Sequence, residues 1–175
     1  MGDDISHSEN HSHLSSKAWA HERTKTGKEE WLTPPYIIKS LGTFDLDPCS
    51  PLDRPWNTAD THYTINDNGL LQKWVGRVWL NPPYGTQTAT WLAKMVLHGN
   101  GIALIFARTE TKMFFNYVWG EADALFFFKG RLKFYHSNGT KGGTAGAPSV
   151  LIAYGDNNAR ILKNCHLKGE YIQLQ

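Results

Sequence analysis

The sequence predicts an α/β fold in a single domain, a largely parallel sheet with helices along its flanks. Three observations predict it. Residues 102–106 are apolar at every position, as in a strand buried on both faces of a parallel sheet. Just before them, Ala89, Leu92, Met95 and Val96 recur at helical spacing and Gly99 follows as a stop. At 175 residues, with 41% apolar and 13% aromatic content, the chain also has the mass to bury a real core.

The elements follow in order. Residues 1–29 lack apolar periodicity and are rich in Ser, His and charge, so they read as a flexible polar leader to one domain over 30–175. His7, His11 and His13 have no Cys or carboxylate at ligand spacing and read as part of that tail, not as a metal site. Thr33 is placed to cap a helix with Pro34 in its first position, carrying Tyr36, Ile37, Ser40 and Leu41 and ended by Gly42. Residues 43–47 read as the first strand, with Asp45 and Asp47 on one side of it. Asp47-Pro48-Cys49 leaves at its carboxyl end, where open α/β sheets bind ligands. Only 33 residues separate Asp47 from Asn81, too few for a full strand–helix–strand–helix–strand path, so residues 52–70 are expected to be largely loop. Within that loop Asp67-Asn68-Gly69 reads as a turn, with a contact to a ligand amine as the alternative for Asp67.

Val78-Trp79-Leu80 is a strand that opens into Asn81-Pro82-Pro83-Tyr84. Thr86 is placed to cap the following helix. After the strand at 102–106, Ala107-Arg108-Thr109 leaves at the same ligand-binding edge, which makes Arg108 a candidate ligand contact. Thr111 caps a second helix with Phe114, Phe115, Val118 and Trp119 on one side. Residues 125–128, 131–135 and 149–154 are strand-like, and the glycine-rich stretch 136–148 reads as a long loop.

The tetrapeptide carries the chemistry. An exocyclic amine on a nucleobase is a poor nucleophile because its lone pair is delocalised into the ring. The Asn81 side-chain oxygen and the Pro82 carbonyl can accept its two hydrogens and draw the nitrogen toward tetrahedral geometry, a stabilisation by fixed dipoles. Pro83 stiffens the turn. The Tyr84 ring offers a face for an extruded base. The arrangement calls for no metal.

The segments Trp31-Leu-Thr-Pro-Pro35, Phe44-Asp-Leu-Asp-Pro-Cys49, Gly69-Leu70 with Trp74, Val78-Trp-Leu-Asn-Pro-Pro-Tyr84, Ala107-Arg-Thr-Glu-Thr111 and Gly130-Arg-Leu-Lys-Phe134 occur in one order. Together they resemble the bacteriophage DNA N-6-adenine-methyltransferase (Dam) family over about residues 30–154. The resemblance implies a Rossmann-like, S-adenosylmethionine-dependent methyltransferase sheet, here trimmed, and adenine in double-stranded DNA as substrate. Under it, the amine of a flipped adenine attacks the donor methyl in line, held by Asn81 and Pro82. Trp31, Thr33 and Pro34 would line the cofactor pocket. Asp47, or else Asp45, would bind the cofactor's ribose or ammonium beside Pro48. The usual glycine-rich cofactor turn is missing, with Pro48-Cys49-Ser50-Pro51 in its place.

Charge adds a second site. Residues 1–30 carry four Lys and Arg against six acids, which leaves the body at +4 against +2 for the whole chain. Lys129, Arg131, Lys133 and Lys141 fall within thirteen residues that hold no acid. With Arg108 and Thr109, Arg131, Lys133 and Lys141 are candidates to meet DNA phosphates, and the glycine-rich loop beside them to enter a groove or close over a flipped base. Solvated Lys guarding a strand edge is the competing account. Two cysteines without a CxxC pair, no apolar signal segment and no run of 18 apolar residues point to a soluble cytoplasmic protein, in a host cell if phage-encoded, acting as monomer or homodimer. Three other activities share some of these features: methylation of the cytosine N4 amine, methylation of a protein glutamine amide, and an inert DNA-binding module that lacks a cofactor.

Overall fold

The computed structural model describes residues 31–175; the leader, with His7, His11 and His13, lies outside the described residues. In chain order the elements are β1 (Trp31–Leu32), α1 (Pro35–Leu41), β2 (Leu46–Asp47), β3 (Thr61–His62), β4 (Val78–Leu80), α2 (Thr88–His98), β5 (Gly101–Phe106) and α3 (Lys112–Phe114), which runs into a π-helical turn (Phe115–Trp119). There follow β6 (Ala124–Phe128), β7 (Lys133–His136), β8 (Lys141–Thr144), β9 (Ser149–Tyr154), α4 (Asp156–Asn164) and β10 (Gly169–Gln173).

Seven strands form the main sheet in the order β10-β6-β9-β5-β4-β2-β3. β3, β2, β4 and β5 are mutually parallel. β9 slots antiparallel between β5 and β6, so β6 points the same way as β5, and β10 closes the far edge antiparallel to β6. One edge of the sheet therefore collects the carboxyl ends of β2, β4, β5 and β6. Side-chain alternation gives the inner strands β4, β5 and β9 two buried faces. Val78, Leu80, Ala103 and Ile105 pack with Trp91, Leu92 and Met95 of α2 and with Phe114 and Val118. Trp79, Ile102 and Leu104 pack on the other side with Ile37 and Leu41 of α1 and Ala159 and Leu162 of α4. Helices on both faces explain why residues 102–106 are apolar throughout.

The α/β expectation holds, in a sheet that is mixed and not wholly parallel. No helix falls between β2 and β4, so the short connection is made as the spacing required. Several local expectations are corrected. The first strand is Leu46–Asp47 alone, because Asp45 turns out to solvent and its carboxylate takes the Arg77 N–H at 2.5 Å. The first helix begins at Pro35, not Pro34, and Thr33 does not cap it. α2 begins at Thr88 after Gln87, not at a Thr86 cap. Gly99 ends α2 in the left-handed region as expected, its N–H donating to the Met95 carbonyl. Phe115 leaves the apolar face and is 63% exposed, because the chain changes to a wider helical turn there. The strand expected over 131–135 is Lys133–His136, and the glycine-rich stretch contains β8, paired with β7 and, through β7, with β1 in a small antiparallel sheet. α4 and β10 extend the fold past the segments that carried the resemblance.

The opposite edge is fastened by Arg77 and Asn158. The Arg77 guanidinium donates to Asn158 Oδ1 at 2.6 Å and to the Thr43 carbonyl at 2.7 Å, and lies over the Phe44 ring at 4.1 Å. Burial lowers its pKa to about 10, which leaves it charged at neutral pH. Asn158, fully buried on α4, returns its amide hydrogens to the Tyr154 carbonyl and to Asn100 Oδ1. We expect Asn158→Ala to cost about 2–3 kcal/mol, since it strands a guanidinium donor and two acceptors; urea unfolding at neutral pH measures it.

Candidate active site

Asn81-Pro82-Pro83-Tyr84 leaves the carboxyl end of β4, where parallel pairing sets it between the ends of β2 and β5. Each residue is tied down separately. Asn81 Nδ2 donates to Thr33 Oγ1 at 3.2 Å, and the Asn81 carbonyl accepts the Cys49 thiol at 3.2 Å. Thr88 Oγ1, at the start of α2, donates to the Pro83 carbonyl at 2.8 Å. Asn81 Oδ1 and the Pro82 carbonyl take no hydrogen bond from the described residues, and neither does the Tyr84 carbonyl. The Tyr84 ring stacks on Phe106, the last residue of β5, with centroids 4.0 Å apart and planes 2° from parallel. Its hydroxyl is buried with no hydrogen-bond partner among the described residues, and that burial pushes the phenol pKa up.

Beside this turn, Asp47 ends β2. Its carboxylate takes the Cys49 N–H at 3.1 Å and the Thr58 hydroxyl at 2.5 Å. Burial raises its pKa to about 6, against the pull of those two hydrogen bonds and of nearby Arg54. No cation pairs directly with it among the described residues. Thr58 is presented by a turn in which the Thr58 and Ala59 N–H groups both point at His62 Nε2, at 3.3 and 3.4 Å. His62 accepts there as a neutral ring, and burial lowers its pKa to about 4. The Asp47 carboxylate and the Asn81 backbone carbonyl are thus joined through Cys49, whose N–H bonds the first and whose thiol bonds the second.

The other expected site residues divide into those near this edge and those away from it. Thr33 reaches Asn81, and its carbonyl accepts the Trp56 indole N–H at 3.2 Å. Pro34 is buried next to it, and the Trp31 ring lies tilted by 36° against His136, with centroids 4.8 Å apart. Pro48 packs against the next loop so closely that a Cβ on Gly69 would overlap its carbonyl. Asp45 is not brought to the site: it precedes β2, at the opposite edge, engaged with Arg77. Asp67 takes the Thr64 N–H and hydroxyl at 2.7 and 2.9 Å, hydrogen bonds that hold its pKa below the usual range, and the turn expected at 67–69 follows, with Asn68 at φ 51°. Arg108 is exposed just past β5, and its carbonyl accepts the Thr111 hydroxyl. The Thr109 carbonyl accepts the Trp119 indole N–H. Arg131, Lys133 and Lys141 are exposed, Arg131 and Lys133 after β6 and Lys141 on β8 across the hairpin from Tyr135. Lys168, which the sequence reading passed over, is brought to Lys129 by a backbone hydrogen bond at 2.9 Å and adds a cation at the end of β6.

Thr58, His62 and Phe106 were also missed. Phe106 read only as the end of an apolar strand, and Thr58 and His62 lay in a stretch with no periodic signal. Cys49 was legible as a neighbour of Asp47, because an N–H two residues on commonly bonds an Asp side chain.

The family model described as DNA N-6-adenine-methyltransferase (Dam) matches residues 20–161, a span that holds every site residue expected from the sequence. The curated proteins and the solved structures give no match. No helix among the described residues is long and apolar enough to cross a membrane.

Two substitutions test the electrostatics of this site. Because Asp47 titrates near 6 when folded and near 3.8 otherwise, its protonation favours the fold below about pH 4, and that contribution is lost as pH rises through 6. Asp47→Asn should flatten the fall in stability between pH 4 and 6 and raise stability at pH 7 by up to about 3 kcal/mol, at about 1.4 kcal/mol per pH unit; unfolding midpoints across that range report it. Tyr84→Phe removes a buried hydroxyl with no partner and should stabilise the protein by on the order of 1 kcal/mol, read as a higher melting temperature.

Proposed function

The chain belongs to the DNA N-6-adenine-methyltransferase (Dam) family, and from that premise we propose that it transfers the methyl of S-adenosylmethionine to the exocyclic amine of a flipped adenine in double-stranded DNA. The observation that carries the reading is the pair of open acceptors at the end of β4. Asn81 Oδ1 and the Pro82 carbonyl suit the two hydrogens of a planar amine, and the groups around them are already committed elsewhere. Cysteine and threonine hold the turn, so the acceptors need no reorganisation as charge develops on the amine.

The residues present fit the donor. Asp47 is a buried carboxylate with no direct cation, and a positively charged ligand at the end of β2 supplies the missing counter-charge. Asp47 would hold it there with Pro48 beside it, and Trp31, Thr33 and Pro34 would line the side toward Asn81. When bound, S-adenosylmethionine supplies a methyl on a positively charged sulfur, the electrophile. Asn81 and Pro82 draw the amine hydrogens so that the nitrogen lone pair is freed from the ring. Pro83 keeps the turn rigid through its carbonyl bond to Thr88. Tyr84 stacks on the extruded base, which is read without a separate recognition domain.

Support for duplex DNA comes from charge around the same edge. Arg108 follows β5, and Lys129, Arg131 and Lys133 follow β6, with Lys141 across the hairpin; all five side chains are exposed. Such a rim meets phosphates on either side of a base drawn toward Asn81.

Incorporation of labelled methyl into unmethylated plasmid DNA tests the reading, with modification-sensitive sequencing to identify base and position. We expect Asn81→Ala to lose at least about a hundredfold in rate, as when one preorganised dipole is removed. Tyr84→Ala should fall roughly tenfold or more, and Tyr84→Phe should keep most activity, because stacking needs the ring and not the hydroxyl. Undiminished transfer by both alanine variants would sink the proposal, and methyl on cytosine or on protein would redirect it.

A further inference from the structure

We infer that Phe106 is the positioning residue for the base-stacking face of Tyr84, a fixed backing ring that leaves Tyr84 one open face for the flipped base. This rests on the function proposed above. The Tyr84 and Phe106 rings lie 4.0 Å apart and 2° from parallel, so one face of Tyr84 is fully taken. Tyr84 nevertheless keeps part of its surface exposed, while its hydroxyl is buried. The hydroxyl end of the ring is the buried end, and a base drawn to Asn81, three residues before Tyr84, would meet the face opposite Phe106. A base on that face completes a three-layer stack of Phe106, Tyr84 and adenine.

Phe106 is well mounted for this. It is the last residue of β5, paired across the ladder with Ser149 of β9. Its carbonyl accepts the Arg108 N–H at 2.8 Å, and the next residue, Ala107, donates to the Pro148 carbonyl at 2.8 Å. Tyr84 lies in the turn that follows β4, held through the Pro83 carbonyl to Thr88 of α2. The stack thus joins the turn after β4 to the end of β5, and the recognition ring cannot rock as a lone tyrosine on a loop does. Ordering a side chain before the ligand arrives lowers the entropy lost on binding. Aromatic pairs also hold this geometry better than aliphatic ones, because leucine offers no flat face to align the ring.

The test compares Phe106→Leu, which keeps an apolar side chain, with Phe106→Tyr, which keeps the ring. Three readouts are taken: methyl transfer into plasmid DNA, S-adenosylmethionine affinity by calorimetry, and fluorescence of a duplex carrying 2-aminopurine at the mapped target position. We expect Phe106→Leu to lower kcat/KM for DNA roughly tenfold, mainly through KM, with cofactor affinity within about twofold of the unaltered protein. Its 2-aminopurine signal should be brighter, because the flipped base is less quenched by a loosened Tyr84. Phe106→Tyr should restore both. A leucine variant with unaltered KM for DNA and unaltered fluorescence overturns the inference, even where its melting temperature falls. Loss of cofactor affinity equal to the loss of activity overturns it too. If the unaltered protein transfers no methyl to DNA, the function proposed above fails and this inference fails with it.

Discussion

Parallel pairing of β4 with β2 on one side and β5 on the other is the constraint on which the rest of the structure depends. Val78 opposes Leu46 in one direction and Gly101 in the other, and the approach at Gly101 is close enough that a Cβ there would meet the Val78 carbonyl. Once those three strands run the same way, Asp47, Asn81 and Phe106 leave the sheet at one edge. None of them has to be brought there by a loop. The two faces of β4 and β5 then bury α2 on one side and α1 with α4 on the other, so the hydrophobic core and the site are set by the same register.

The site pairs rigidity with an electrostatic cost. A carboxylate buried at the end of β2 with no bonded cation is unfavourable, as its raised pKa records. Hydrogen bonds from Thr58 and Cys49 offset part of this, and neutral His62 holds the turn that delivers Thr58. Tyr84 repeats the pattern with a hydroxyl left unpaired. Groups held at a cost of this kind are common where a ligand completes the environment. The amino edge of the sheet differs in that its bonds fasten helix to sheet: both amide hydrogens of Asn158 are met, and Arg77 donates through Nε and Nη1, with Nη2 buried and unpaired among the described residues.

The small sheet of β1, β7 and β8 links the exposed cations to the acceptor turn. Leu32 pairs with Tyr135, and the next residue, Thr33, bonds Asn81. Lys133 and Lys141 sit on the same hairpin. A displacement of that hairpin is therefore felt at Thr33 within one residue of the β1–β7 ladder. Trp56, between the Thr33 carbonyl and the Tyr135 ring, braces the hairpin from the loop that follows β2.

Much of this was legible in the sequence, because some signals are local. The period of α2, the apolar run of β5, the stop at Gly99 and the strand end at Asn81 follow from side-chain spacing and backbone restriction, which act within a few residues. The ordered motifs likewise carried the family, which the match over residues 20–161 bears out. What the sequence could not decide was which strands pair. β9 inserts between β5 and β6, Thr33 serves Asn81 and not a helix start, Asp45 faces away while Asp47 faces in, and Phe106 lies under Tyr84. Each of these joins residues at least 22 positions apart or turns on such a pairing, so each depends on strand register and on burial shared across the whole core. Local composition fixes neither, and only the assembled sheet does.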